Sequence, residues 1–351
     1  MDHLKYLLCF FFPGCVTWFL YTGPHDATIA LVWTIPLWML VILDWLSPKV
    51  DPNKAKKVVS DWFYDAILYG LTFLQFLIIS LLLIYASQLQ WATASEIAIS
   101  LVNLIVMRIL VGTISGSSAI IVAHELIHRP RKHLRILGRL ILYTVCYEHF
   151  VIAHLRGHHL NVATPEDIAT ARLDESFETY WKRVIVEHFK YAWNSELQRL
   201  RLTKTPIYHY KMLANSVLQG LIVDVAMLML ILAVFGWAAA FIFLYQAFSG
   251  VRLLETINYY QHWGLEKGRA GNVLAWVNQS MVTEYALVGL SNHIEHHQNA
   301  ATYFYQTPYS NIGPKMPYGY FVTNLWVKLN NASYRKTSLD KIKEFYRDSG
   351  Q

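Results

Sequence analysis

Apolar residues in this chain gather into long uninterrupted runs rather than into the every-third-or-fourth stripes of a surface helix. Six runs stand out, near Leu4–Tyr21, Ile29–Leu46, Trp62–Tyr85, Ile97–Ala123, Asn215–Phe235 and Trp237–Tyr259. Each approaches the roughly 20 residues that an α-helix needs to cross a bilayer. The first lacks a charged n-region and a small-residue cleavage site, so a retained span is expected rather than a removed signal peptide. The fifth and sixth together are about twice one crossing, and Gly236 marks the turn between them. Between the fourth and fifth, Arg129–Met212 holds most of the polar residues. Within it the moderately apolar Leu134–Ala153 predicts an interfacial or half-buried helix. After the sixth, Gln261–Gln351 is polar and aromatic, with turn-rich pieces such as TPYSNIGPKMPYGY. There is no internal repeat and no low-complexity segment.

Composition agrees. Of 351 residues 54% are hydrophobic and only 15% charged, with a mean hydropathy of +0.28. Soluble domains carry about 25% charged residues, so soluble, disordered, collagen-like and coiled-coil classes drop out. Charge orients the spans. Thr22–Thr28, Ser87–Glu96 and the Gly236 turn hold no Lys or Arg. Lys49, Lys54, Lys56 and Lys57 follow the second span, and Arg129, Arg131, Lys132 and Arg135 follow the fourth. The excess of basic residues on the cytoplasmic side of membrane proteins then places both termini and every large loop in the cytoplasm. The expected fold is an all-α integral membrane protein: six transmembrane helices with a cytoplasmic histidine-rich cap. These loops account for the net charge of +6, and no nucleic-acid-binding motif accompanies it. Cys9, Cys15 and Cys146 have unrelated spacings that suit neither a disulfide framework nor a metal cluster.

Histidine is the anomaly, with 15 in the chain. HELIH (His124, His128) closes the fourth span, and AHLRGHH (His154, His158, His159) follows the interfacial stretch. NYYQHWGL (His262) leaves the sixth span, and SNHIEHH (His293, His296, His297) lies in the tail. Helical residues three or four apart share a face, so His124/His128, His154/His158 and His293/His296/His297 can each aim two or more imidazoles at one point. These clustered imidazoles exceed what one metal ion can bind, whereas two ions with four or five nitrogens each would use them all. Imidazole suits iron, zinc, copper and nickel alike. His3, His25, His133, His188 and His209 read as lone interfacial residues, and His149 lies outside the tight spacing. HELIH also matches the zinc-protease signature H-E-x-x-H, which makes a membrane zinc metalloprotease the alternative of another class. Such a site needs three protein ligands and leaves the other boxes without a purpose.

Taken together, the six spans, the three histidine boxes in order and the NY-x-x-HxGL element resemble the membrane-bound non-haem di-iron hydroxylases of the alkane monooxygenase type, within the wider fatty-acid desaturase superfamily. ATPEDIATAR after the second box is similar to that family's segment. MDHLKYLL and SNHIEHH lean towards the hydroxylase subunit of xylene monooxygenase. The resemblance covers nearly the whole chain and implies one desaturase-like hydroxylase domain over 1–351. It implies nine ligands, His124, His128, His154, His158, His159, His262, His293, His296 and His297, holding two iron ions, with O2 as co-substrate. The reaction implied is hydroxylation of a terminal or benzylic methyl group of an apolar substrate such as an alkane or alkyl-aromatic. The implied setting is a multi-pass protein of the bacterial inner membrane. There are departures. Alkane hydroxylases usually carry Glu where this chain has Ala153, often Glu where it has Gln261, and Arg where Asn292 precedes His293. These changes leave the ligand count intact and bear on the pocket.

Candidates to support the ligands, each close to one in sequence, are Glu125, Glu255, Asn258, Glu166, Asp167 and Glu295. For Glu166 and Asp167, helix-end capping or solvation is an equal alternative. No four-cysteine cluster, GxGxxG loop or flavin fingerprint is present. The hydroxylase reading therefore needs an external electron donor, a rubredoxin or a ferredoxin with its reductase. The basic face of Arg129, Arg131, Lys132, Arg135, Arg199 and Arg201 would suit an acidic redox protein, though positive-inside charge explains it as well. Arg108, Asp224 and Arg252 fall in or near spans and must pair or face a wet cavity; Asp224 is the candidate partner of either arginine. The small residues of GTISGSSA before HELIH permit either a substrate channel or close helix packing. On the same scaffold the alternative is a fatty-acid desaturase or oxidative decarboxylase, which predicts a basic or polar anchor for a carboxylate.

Overall fold

The computed structural model describes residues 2–266 and 273–348. The outermost residues at both ends, whose side of the membrane the charge pattern predicts, lie outside the described residues, as does 267–272 of the tail. Among the described residues there is no strand, only isolated bridges at Lys49–Ser280 and Val277–Lys315. Among the described residues six helices are long and apolar enough to cross a bilayer: α1 (His3–Thr22), α2 (Ala27–Trp45), α3 (Asp61–Ser87), α4 (Ala94–Ile127), α8 (Ser216–Phe235) and α9 (Trp237–His262). Between α4 and α8 come α5 (Lys132–Tyr143), α6 (150–161) and α7 (Phe177–Leu200). After α9 come α10 (Met281–Ala286), α11 (His293–Gln298), α12 (Tyr320–Leu329) and α13 (Asn331–Asp348).

Two spans overrun the predicted limits, and the overrun positions the chemistry. At about 1.5 Å per residue, the 34 residues of α4 extend roughly 50 Å, against a hydrocarbon core of about 30 Å. HELIH is thus carried beyond the apolar layer on the same rod that crosses it. The 26 residues of α9 do the same for His262. At the opposite end, Thr93 and Glu96 close a reciprocal capping box at the start of α4, and Trp91 packs on Trp237 with centroids 4.7 Å apart. Such an aromatic pair suits a membrane–water boundary.

The small residues of GTISGSSA serve close packing, and Gly112, Thr113 and Ser117 also line a cavity beside it. A Cβ on Gly112 would lie 2.6 Å from Ser249 Cβ, and one on Gly116 would lie 2.7 Å from the Gly250 carbonyl oxygen. Helices α4 and α9 therefore touch backbone to backbone. Beside that contact Gln75 donates to Ser115 and Thr144, Ser115 donates to Gln246 Oε1, and Gln246 donates to the Thr144 carbonyl. This ties α3, α4, α9 and the turn after α5 together where water is absent. Ser115–Ala119 is a π-helical turn. Its extra residue rotates everything that follows by about 100° relative to a straight α-helix, so the packing face and the histidine face of α4 differ.

Leu134–Ala153 is not one helix. Leu134, Gly138, Ile141 and Leu142 form the buried stripe of the amphipathic α5, which lies against the end of α4, where a Gly138 Cβ would meet Ile127 at 2.9 Å. The chain then turns through Cys146, which has positive φ, and restarts as α6. The intramembrane charges also pair differently from expectation. Arg252 pairs with Glu178 and Arg108 donates to Ser249, whereas Asp224 sits beside Glu148. A polar partner contributed by the cap, which a span-by-span reading omits, takes Arg252.

Candidate metal centre

The nine clustered histidines converge from four elements. The end of α4 brings His124 and His128, α6 brings His154, His158 and His159, the end of α9 brings His262, and α11 brings His293, His296 and His297. Their ring nitrogens fall into two groups, each within 4.8 Å: His124, His128, His154, His159 and His296, and His158, His262, His293 and His297. His124 and His128 meet at one point as expected, and so do His293 and His297, but His154 and His158 part to different groups, which corrects that pairing. The cause in α6 is backbone geometry. Ala153–His158 is a π-helical turn, in which residues five apart share a face. His154 therefore joins His159, and His158 turns to the other group. In α11, His293 and His297 share a face at i,i+4, and His296 looks across to His124, with centroids 4.6 Å apart.

Within the first group, His154 Nε2 lies 3.2 Å from His128 Nε2 and 2.9 Å from His159 Nε2. Within the second, His293 Nε2 lies 3.2 Å from His262 Nε2 and 3.0 Å from His297 Nε2. The Nε2 of a neutral imidazole donates or accepts one hydrogen bond, so three nitrogens meeting at one point exceed what hydrogen bonding satisfies. His124, His158 and His296 each also keep a buried Nε2 without a partner. Two nitrogens each about 2.1 Å from a common ion and at right angles about it stand about 3.0 Å apart. The donor set fits metal ions.

Burial and the neighbouring imidazoles hold His128, His154, His159, His293, His296 and His297 below the usual histidine range, in the neutral form that can donate a lone pair. Two rings have their far nitrogen fixed. His158 Nδ1 is 2.8 Å from Asp167 Oδ2, and His262 Nδ1 is 2.8 Å from the Leu274 carbonyl. Burial would raise the Asp167 carboxyl, but His158 and the Thr170 hydroxyl that donates to it hold it well below the usual carboxylate range.

The other supporting candidates sit elsewhere. Glu166 is exposed. Glu125 pairs with Arg129 at 2.9 Å and accepts from Phe304 N. Glu295 accepts from Ser310. Glu255 accepts from Tyr147, Tyr180 and Asn258 and lies 3.5 Å from His188 Nδ1. His188 is thus buried in a polar network rather than at an interface. Gln261 donates to Tyr320, and Ala153 is buried at the start of the π turn. His149 belongs to neither group and packs on Tyr147 and Phe189. Arg129, expected on a docking face, is buried under Tyr303.

Two acids that sequence reasoning passed over hold the tail in place. Glu284 accepts from Tyr6, Ser291 and Asn292 and pairs with Lys56 at 2.8 Å, next to the start of α11. Asp44 in α2 accepts from Ser280, Thr283 and the amides of Phe321 and Val322. Each is an isolated acid in an apolar run, and that was the available signal.

The fatty acid desaturase family profile matches residues 99–324, and the chain belongs to that family. It is similar to alkane 1-monooxygenase 1 of Pseudomonas aeruginosa, 35% identical over 217 residues, covering 60% of this chain and 56% of the relative. Alkane 1-monooxygenase 2 of the same organism is 31% identical, covering 66% and 62%. The hydroxylase component of the Pseudomonas putida xylene/toluene monooxygenase is 24% identical over 322 residues, covering 90% and 83%. The chain spans about three fifths of the length of the alkane monooxygenases it matches.

Proposed function

We propose that this chain is a membrane-bound non-haem di-iron monooxygenase that hydroxylates a terminal or benzylic methyl group of an apolar substrate. The observation that carries the proposal is the gathering of nine imidazoles into groups of five and four, in a chain similar to alkane and xylene monooxygenases. In this reading His124, His128, His154, His159 and His296 hold one iron and His158, His262, His293 and His297 the other. The pair, when bound, supplies the two-electron activation of O2 that attack on an unactivated C–H bond requires. The protein keeps the ligands neutral, orients His158 through Asp167 and His262 through Leu274, and walls the site with apolar side chains that exclude water. A cavity of about 20 Å³ between Ile121, His124, Val288, His293 and His296 has room for a water-sized molecule next to both groups. The whole chain acts as one membrane unit with its cap in the bacterial cytoplasm, where a rubredoxin or ferredoxin would deliver electrons. A zinc-protease role fits less well, since Glu125 is engaged by Arg129 and Phe304 rather than free as a base.

Elemental analysis of the purified protein should give close to two irons per chain, with O2-dependent conversion of dodecane to dodecanol when a ferredoxin or rubredoxin system is supplied. One zinc, no iron and oxygen-independent peptide cleavage would sink the proposal. Asp167→Asn should keep the fold and weaken metal retention against a chelator by about 10–100-fold, the usual effect of losing a ligand's hydrogen-bond partner.

A further inference from the structure

A second, larger cavity lies between α2, α4, α9 and α12, with a volume of about 420 Å³. Its body is apolar, with Leu37, Trp38, Val41, Ile109, Leu253 and Leu325 in the walls. Its inner end reaches Ser117, Tyr260 and Leu287. Ser117 is one helical turn from Ile121, and Leu287 precedes Val288, and both of those residues line the small cavity at the histidines. A linear molecule in the larger cavity therefore has one end next to the candidate metal centre.

The other end is cationic. Arg108, Arg252 and Lys328 all line this cavity. Their neutralisation is incomplete. Glu178 pairs with Arg252 from the rim, where its side chain is 61% exposed, and Arg252 Nε stays buried without a partner. Among the described residues Arg108 has no carboxylate partner, donating to Ser249 Oγ at 3.0 Å and lying over the Tyr245 ring. Lys328 lies exposed near the end of α12 and has no ion pair among the described residues. Two half-buried guanidiniums and a lysine at the mouth share one rim carboxylate, Glu178, so positive charge beside the apolar walls is left over, and a plain hydrocarbon offers it no compensation.

We infer that this cavity takes a long-chain carboxylate, with its head at Arg108, Arg252 and Lys328 and its terminal methyl group directed to the histidines. The inference rests on the monooxygenase reading for its chemistry and on the cavity for its substrate class. Arg252 precedes His262 by ten residues of α9 and Arg108 precedes His124 by sixteen of α4. The head thus sits roughly 15–24 Å from the histidines along the helices, which puts the far end of the chain at the reaction. The volume is in the range of a pocket for one small ligand and too small for a two-chain phospholipid. The balance is that of the proposed function. A C–H bond of the methyl group breaks and a C–O bond forms, one oxygen atom enters the product and the other leaves as water. Two electrons come from the external one-electron carrier protein and two protons from solvent.

The test measures binding of labelled dodecanoate to the full chain in phosphatidylcholine nanodiscs, with methyl dodecanoate and dodecane as competitors. Dodecanoate should bind at least about tenfold tighter than its methyl ester, and Arg108→Gln with Lys328→Gln should erase that preference. Lys328→Gln alone, on the exposed end of α12, should reduce it and keeps the test available if the Arg108 change prevents folding. Equal binding of acid and ester, or a preference that survives the substitutions, would overturn the inference. So would a wild-type preference lost in phosphatidylglycerol nanodiscs, which would assign the cations to lipid headgroups. With reductant supplied, the hydroxyl should appear on the terminal carbon, and oxidation or carbon loss next to the carboxylate would overturn the orientation. An intact binding preference with no product from either dodecanoate or dodecane would support the anion site and refute the monooxygenase reading instead.

Discussion

Replacing His154 by Ala is expected to lower bound iron from about two per chain to about one and to cut turnover more than about a hundredfold, beyond what loss of a ligand's hydrogen-bond partner does. His154 Nε2 meets both His128 and His159, so its removal opens the first group at its centre. The second group, held through Asp167 and Leu274, keeps its four imidazoles. Elemental analysis and an oxygen-consumption assay on the same preparation read both effects. His149→Ala is the control, since His149 is buried five residues upstream and outside both groups. It should lose packing on Tyr147 and Phe189 and retain two irons. A His154→Ala protein with full iron and full turnover would remove this residue from the ligand set.

Glu284→Ala is expected to destabilise the protein by about 3–5 kcal/mol, the cost of breaking a buried ion pair from one side. The substitution removes the carboxylate that pairs with Lys56, whose side chain is 9% exposed and keeps the Phe304 carbonyl, and takes away the acceptor of Tyr6, Ser291 and Asn292. The residues concerned come from α1, the loop before α3 and the entry to α11, so three separate parts of the chain loosen together. Because Asn292 precedes His293, metal retention in the second group should fall with stability. Thermal unfolding in detergent, followed beside metal content, checks both. An unchanged midpoint would mean that Glu284 is not the acceptor that joins these segments.

Much of the architecture was legible before folding. Bilayer crossing is a property of local length and apolarity, so six spans could be placed from the runs alone, with helix ends off by a few residues. The ends moved where it mattered: α4 and α9 continue as helices through polar sequence because the cap packs around them, and hydropathy is blind to that. The histidines were legible for a similar reason, since residues that bind together in a helix recur at short spacing. Asp167 could be nominated by its closeness to His159, but Glu166 was nominated on the same ground and is exposed. Sequence distance does not say which way a loop carboxylate turns. The Asp224 pairing failed for a related reason, because the partner of Arg252 came from the cap.

Two things were readable from residue order alone, the membrane class and the identity of the clustered imidazoles, because both depend on short-range pattern. How the nine imidazoles divide into five and four was not readable, because the π turn at Ala153–His158 parts His154 from His158 and only the packing of α11 against α4 brings His296 to His124. Nor was the meeting of Arg108, Arg252 and Lys328 in one cavity. Those cations lie on three helices far apart in the chain, and only the packing of α4, α9 and α12 brings them together.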